Sequence, residues 1–309
     1  MNIRKFKGYL LGFVAAATYG LNPLFALPLM AEGMDTSSIL FFRYLLAIPV
    51  VALLMVARGR SFAVGARTLG LLVVFGLLVG VSSIALFESY RYMQAGIAST
   101  ILFVYPLMVA VIMAGFFHEK VTPVTVFSLG AAMTGIGMLY KGGDGVTLSL
   151  TGTVLALVSA LSYALYIVGV NKTRIARVPT LTVTFYVLVF GLTVFLVNIV
   201  AGGSLAVPHG AAQWGRVACL AVLPTAISFL CTTAAIVYIG STPTAILGAL
   251  EPLTAVVVGI TVFGEVLTFT DVIGLVLILV AVIFVILGGS VSHPLTAIRR
   301  MFPRRRRWG

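Results

Sequence analysis

Four ionisable side chains stand inside the apolar runs of this chain, where a charge is costly and is a functional candidate by default. Glu251 precedes Pro252 in TAILGALEPLTAVVVGITVF (244–263). Thr244, Gly248 and Glu251 are spaced by four and three, so one helical face would present all of them. A face with a hydroxyl and a small residue meets lipid poorly, and its carboxyl is expected to point into the protein. Burial there penalises the charged form. Two roles are open to such a group: a neutral carboxyl bonded to a nearby Ser or Thr, or a site that takes a proton from one side of a membrane and releases it on the other. Glu88 and Arg91 lie one turn apart with Tyr92 beside them, and Arg43 lies at similar depth in the preceding run. These groups can pair, or an arginine can be free to hold the carboxylate of a solute.

Breaks in the helices are the second pointer. Proline lacks the N–H that its helix needs, so Asn22-Pro23, Tyr105-Pro106, Pro224 and Glu251-Pro252 each release backbone carbonyls, which bind ligand where they face a cavity. Tyr19, Tyr44, Tyr105, Tyr163, Tyr166 and Tyr186 mostly lie too deep for an interfacial belt. With Ser99 and Thr232 they can line a cavity for an amphipathic metabolite, although packing between helices is the plainer role for any one of them. Such a cavity is expected between spans 1, 3, 4, 6, 8 and 9, with spans 5 and 10 at the periphery. Catalytic readings find no support. His118, His209 and His293 all fall at loops or helix ends, and no zinc-protease, nucleophile-elbow or Walker-type motif is present. The sequence therefore implies neither an enzyme nor a metal or other cofactor.

The elements that must position these residues follow from composition. Hydrophobic residues make up 61% of the 309, charged residues only 9%, and the mean hydropathy is +1.16, which describes a polytopic membrane protein. Charges and turns divide the chain into ten spans: 8–30, 37–57, 69–93, 97–117, 122–140, 148–170, 180–200, 214–238, 243–263 and 270–288. Alternation of period two is absent, so the spans read as helices. Cys219 and Cys231 would be roughly 18 Å apart on one helix, too far to bridge. With both termini cytoplasmic, 16 of the 20 Lys and Arg lie inside. The outer loops then hold Glu32, Asp35, Asp144, Glu265 and Asp271. The expected location is the cytoplasmic membrane. Residues 1–7 form a short inner terminus. The basic tail, 289–309, is placed to meet anionic inner-leaflet lipid; without aromatic interleaving or a folded module it does not read as binding nucleic acid.

A shift of 146 lays residues 92–122 on 238–268. Tyr92 meets Tyr238, Pro106 meets Pro252, Glu119 meets Glu265 and Thr122 meets Thr268. The chain thus divides into halves, 8–140 and 148–288. Five spans each is an odd number, so the second half is inverted, and Glu119 and Glu265 cap equivalent hairpins on opposite faces. In each half a Pro is followed 13 residues later by Glu. With the ten spans and the duplication, this is similar to the drug/metabolite transporter superfamily, specifically its EamA-type members. That family usually has a Gly nine residues after the Glu and another seven further on. Gly274 and Gly135 fit; Ser128 and Ala281 depart. The resemblance implies an all-α membrane protein of ten transmembrane helices in two inverted five-helix repeats. It also implies secondary transport of small metabolites, amino acids or drugs without ATP. The expected function is export of a small metabolite such as an amino acid by alternating access, with protons as the candidate coupling ion through Glu251. Uptake, multidrug efflux, and a lipid flippase or structural membrane subunit are the alternatives.

Overall fold

The computed structural model describes residues 3–118, 123–140, 149–202, 205–239, 247, 248, 250–281, 283 and 284. The regular elements among the described residues are all helices, with no strand among them. Seven stretches are long and apolar enough to cross a membrane: Lys5–Ala31, Thr36–Ala57, Ala66–Ser89, Ala95–Phe117, Leu150–Val170, Thr180–Gly202 and Gly210–Thr232. Three apolar helices are shorter, Val126–Met138, Leu250–Phe263 and Phe269–Ala281.

Several stretches are interrupted where the sequence carries proline. The first is α1 (Ile3–Gly20) and α2 (Asn22–Ala31), hinged at Leu21. After α3 (Thr36–Ala57) and α4 (Ala66–Ser89), the next divides into α5 (Ala95–Leu102) and α6 (Tyr105–Phe117). Then follow α7 (Pro123–Tyr140), α8 (Leu150–Lys172) and α9 (Thr180–Gly202). The next stretch runs through α10 (Gly210–Leu220), a π-helical turn at Ala221–Ile227 and α11 (Ser228–Ile239). Last are α12 (Leu250–Phe263) and α13 (Phe269–Ala281).

Helix starts are set by short polar residues. The Asp35 carboxylate accepts the N–H groups of Ser37 and Ser38 at the head of α3, and the Ser149 hydroxyl accepts that of Gly152 at α8. At α13, Thr268 and Asp271 cap each other's backbone N–H reciprocally. Packing then runs mostly across the chain. Helix α4 lies on α8 and α9, α3 on α9, α1 on α11 and α12, and α5 on α12 and α8. Glycines permit the closest crossings. A Cβ on Gly76 would come within 2.5 Å of Phe190 Cβ, and one on Gly135 within 2.7 Å of the Gly274 carbonyl. The two family-spaced glycines therefore meet each other. Cys219 and Cys231 are both free thiols.

Candidate functional site

The break between α1 and α2 follows from Pro23. Without an N–H there, the Tyr19 carbonyl loses its helical donor. The Leu24 N–H turns to Leu21 O instead (3.1 Å), so the Gly20 carbonyl loses its donor as well. Gly20 is the residue that lets this break touch the other half of the chain, since a Cβ there would come within 2.5 Å of both the Glu251 carbonyl and Thr254 Cβ. A small cavity opens at this crossing. Tyr19, Gly20, Asn22, Leu86, Tyr90, Ser99, Leu102 and Glu251 line it, and it has room for about one water molecule. Asn22 is only 2% exposed and its Oδ1 has no hydrogen-bond partner among the described residues. The Tyr90 hydroxyl is in hydrogen-bonding reach of Ser99.

Glu251 lies in the first turn of α12 rather than near the middle of a helix, as the sequence implied. Pro252 explains the difference, because a residue without an N–H is best tolerated where no helical acceptor is waiting for it. Among the described residues the Glu251 side chain forms no ion pair or hydrogen bond. Thr244, expected on its face, lies outside the described residues. Beside the cavity residues runs an aromatic cluster. The Tyr105 and Tyr163 rings meet edge to face at 4.8 Å, and Tyr163 lies 5.8 Å from Tyr166.

Arg43 is buried (4% exposed) on α3, and its Nε donates to Thr225 Oγ1 at 2.9 Å. The π turn builds that acceptor. Pro224 leaves Leu220 O without its donor, and the Thr225 hydroxyl supplies one at 2.9 Å while receiving Arg43. The guanidinium also lies over the Phe87 ring, 5.4 Å from its centre. It does not pair with Glu88, which instead meets Arg91 at 3.4 Å on the exposed end of α4. Tyr92, half exposed, is at that end too. Thr232 lies on α11 and does not line the cavity.

Glu265, expected from the sequence to cap its own hairpin, reaches across to the head of another helix. Gly264 takes a positive φ, and the Glu265 N–H closes on Gly259 O. The carboxylate then accepts the Ala95 N–H at 3.1 Å, at the head of α5, while the Gln94 side chain donates to Val266 O. Burial pushes the Glu265 carboxyl above its usual range, and the Ala95 and Gly96 N–H groups pull it partly back. The bond to the head of α5 depends on tertiary packing, which the Pro-to-Glu spacing does not encode. Its counterpart Glu119 lies outside the described residues, as does the basic tail.

Asn22, Tyr19, Ser99 and Glu251 thus converge, while Arg43, Glu88, Arg91, Tyr92 and Thr232 do not join them. Tyr90, Gly20 and the partner role of Thr225 escaped the sequence. For Thr225 the adjacent Pro224 was the available signal.

Comparison with known proteins agrees with this architecture. An uncharacterized transporter of Archaeoglobus fulgidus is 30% identical over 255 residues, covering 81% of this chain and 87% of the relative. A crystal structure 18% identical in sequence shares the fold with a TM-score of 0.67, covering 93% of this chain and 98% of the other. The model of the EamA-like transporter family matches twice, over residues 6–141 and 150–287. The chain is a multi-pass membrane protein that belongs to the EamA-like transporter family.

Proposed function

We propose that this protein is a secondary active transporter of the cytoplasmic membrane that exports a small amphipathic metabolite such as an amino acid by alternating access. The observation that carries the reading is the crossing of two broken helices at one polar cavity. Tyr19 and Asn22 come from the first family match and Glu251 from the second. A group held between two halves of like fold is exposed to one side or the other as the halves rock, which is how such repeats move solute.

The ten-span, inverted-repeat architecture belongs to this proposal, with halves 8–140 and 148–288 and the three shorter apolar helices as the remaining spans. The pairing of helices supports it. Exchanging each span for its counterpart five places on turns α1-on-α11 into α8-on-α4, and leaves the α3–α9 and α5–α12 pairs unchanged. All of these contacts are present, as a two-fold relation requires. Cytoplasmic termini follow from the distribution of Lys and Arg. Glu251 is the proposed proton-coupling group, and Arg43, without a carboxylate partner among the described residues, is the proposed partner for a carboxylate on the solute. Glu88 and Arg91 serve the rim of the pathway.

The test is a proteoliposome uptake screen over labelled metabolites, with and without a pH gradient. Accumulation of one solute class that collapses with the gradient is the expected result. No movement of any class under either condition would end the reading.

A further inference from the structure

We propose that the cleft between the α3–α4 loop and the head of α9 binds a phosphate group, supplied by an anionic phospholipid or by free phosphate. The site is separate from the cavity at the Leu21 break and does not depend on which solute is moved. The cleft is open and has a volume of about 370 Å³. Arg60, Val64, Gly65, Arg177, Pro179 and Thr182 contribute to its wall, and among the described residues no Asp or Glu lines it. Two helices begin there. Helix α4 follows Gly65 and α9 follows Pro179; neither of these residues carries a side-chain acceptor, and neither helix has an acidic residue in its first turn. The positive ends of both dipoles are thus left without an anion. Arg67 adds a cation in the first turn of α4, where the dipole disfavours one. Arg60 and Arg177 are exposed, and neither forms an ion pair among the described residues. Thr182, by contrast, is only 2% exposed, and its Oγ1 has no partner among the described residues. It is the third residue of α9, and the Cβ of a helical residue tilts toward the helix start, which carries the hydroxyl toward the cleft.

The chain carries its own comparison. A shift of 144 lays Thr36 on Thr180 and Phe41 on Phe185, and with them Asp35 on Pro179 and Ser38 on Thr182. At the head of α3 the Asp35 carboxylate accepts the Ser37 and Ser38 N–H groups, and Ser38 Oγ accepts the Ala206 N–H at 3.0 Å. At the head of α9 proline stands in place of that carboxylate, and the matching hydroxyl is unpartnered. One helix start has a built-in anion; the other has arginines around the place where an anion belongs. A phosphate fits that place better than a carboxylate. Its oxygens can meet two helix heads and still pair with a planar guanidinium, whereas the Asp35 carboxylate serves a single helix. Depth favours the same ligand. The apolar span of α3 ends at Ala57, and those of α4 and α9 begin at Ala66 and Thr180, so the cleft lies where lipid headgroups begin. Val64 and Val178 offer apolar wall to the glycerol part of a lipid. The loop is also held in place: the Tyr186 hydroxyl donates to Phe62 O at 2.6 Å, and the Phe62 and Phe185 rings meet edge to face at 5.2 Å.

The experiment uses the full chain, stripped of lipid in a non-ionic detergent, and follows its thermal unfolding midpoint at fixed ionic strength. The probes are inorganic phosphate, dioctanoyl phosphatidylglycerol, dioctanoylglycerol, which has the same chains without the phosphate, and acetate. A rise of several degrees with phosphatidylglycerol alone supports the site and makes membrane lipid the source. A rise with inorganic phosphate supports it and makes soluble phosphate sufficient. No response to either, or an equal response to dioctanoylglycerol or acetate, overturns the proposal. Arg60→Gln and Arg177→Gln change exposed side chains, and each should weaken the apparent affinity about tenfold. An undiminished response in the double variant would place the ligand elsewhere, for instance on the basic tail, and overturn the site. Pro179→Asp copies the Asp35 arrangement. It should raise the midpoint without ligand and suppress the response to phosphate; should that variant fail to fold, Thr182→Val, which keeps the side-chain shape and removes the hydroxyl, is expected to fold and to weaken the response.

Discussion

Glu251 and Glu32 show how differently two carboxyls can be placed in one chain. Glu32 is exposed at the end of α2, where Arg216 and Gln213 bond to it and hold its carboxyl below the usual range. A carboxyl lowered in this way contributes stability that is present above its unfolded pKa and is lost as pH falls through the lowered value. Because the site is open to solvent, salt screens the contact. We expect Glu32→Gln to leave the thermal midpoint at pH 7 in high salt unchanged; a clear drop would mean a structural role that its exposure does not suggest. Glu251 has no such partners among the described residues. Glu251→Gln keeps the shape and bonding of a neutral carboxyl, so the protein should fold. Gradient-driven accumulation should vanish while exchange without a gradient persists. Accumulation equal to wild type would remove Glu251 from the coupling. Arg43→Gln should raise the KM for a carboxylate-bearing solute at least tenfold and leave transport of its amide nearly unchanged, measured in the same liposomes.

Elements meet through residues too small to see in a hydropathy profile. Gly76 of α4 faces Phe190 and the Val187 carbonyl of α9, and Gly191 faces Gly76 in return. A side chain at Gly76 must push two helices apart, against backbone that cannot yield. Gly76→Val is expected to destabilise by roughly 1–3 kcal/mol, read as a lower unfolding midpoint in detergent; an unchanged midpoint would mean that the crossing is looser than described. The long apolar runs and their proline breaks were legible in the sequence because both are local properties. Tyr19, Asn22, Ser99 and Glu251 were nameable for the same reason: polar groups stand out against Leu and Val. Which of them share a cavity depends on how each helix is rotated and on which helices cross, and no single run encodes that. Arg43 illustrates the limit. Its depth was evident from spacing, yet its partner Thr225 belongs to a π turn 182 residues away.

At the scale of the whole molecule, the two stretches that match the family model are not two bodies side by side. The extensive contacts of α4 are with α8 and α9, those of α1 with α11 and α12, and those of α5 with α12 and α8. Within the first stretch, α3 touches α4 only lightly, and α1 touches α2 only lightly. Glu265 and Val266 likewise fasten to Ala95 and Gln94 of the other stretch. The unit that was duplicated is therefore not the unit that folds. Translated alone, residues 1–140 or 149–309 would present to lipid the same glycine-lined faces that should meet each other. Each fragment is expected to be degraded when expressed by itself, whereas co-expression from separate start codons should yield a stable non-covalent pair that co-purifies through a tag on either piece. A first fragment that persists alone as a folded monomer would contradict this. Interlocking of this kind also implies that neither stretch can drift far in sequence without a matching change in the other, so that the two copies, once free to diverge, remain bound to a common history.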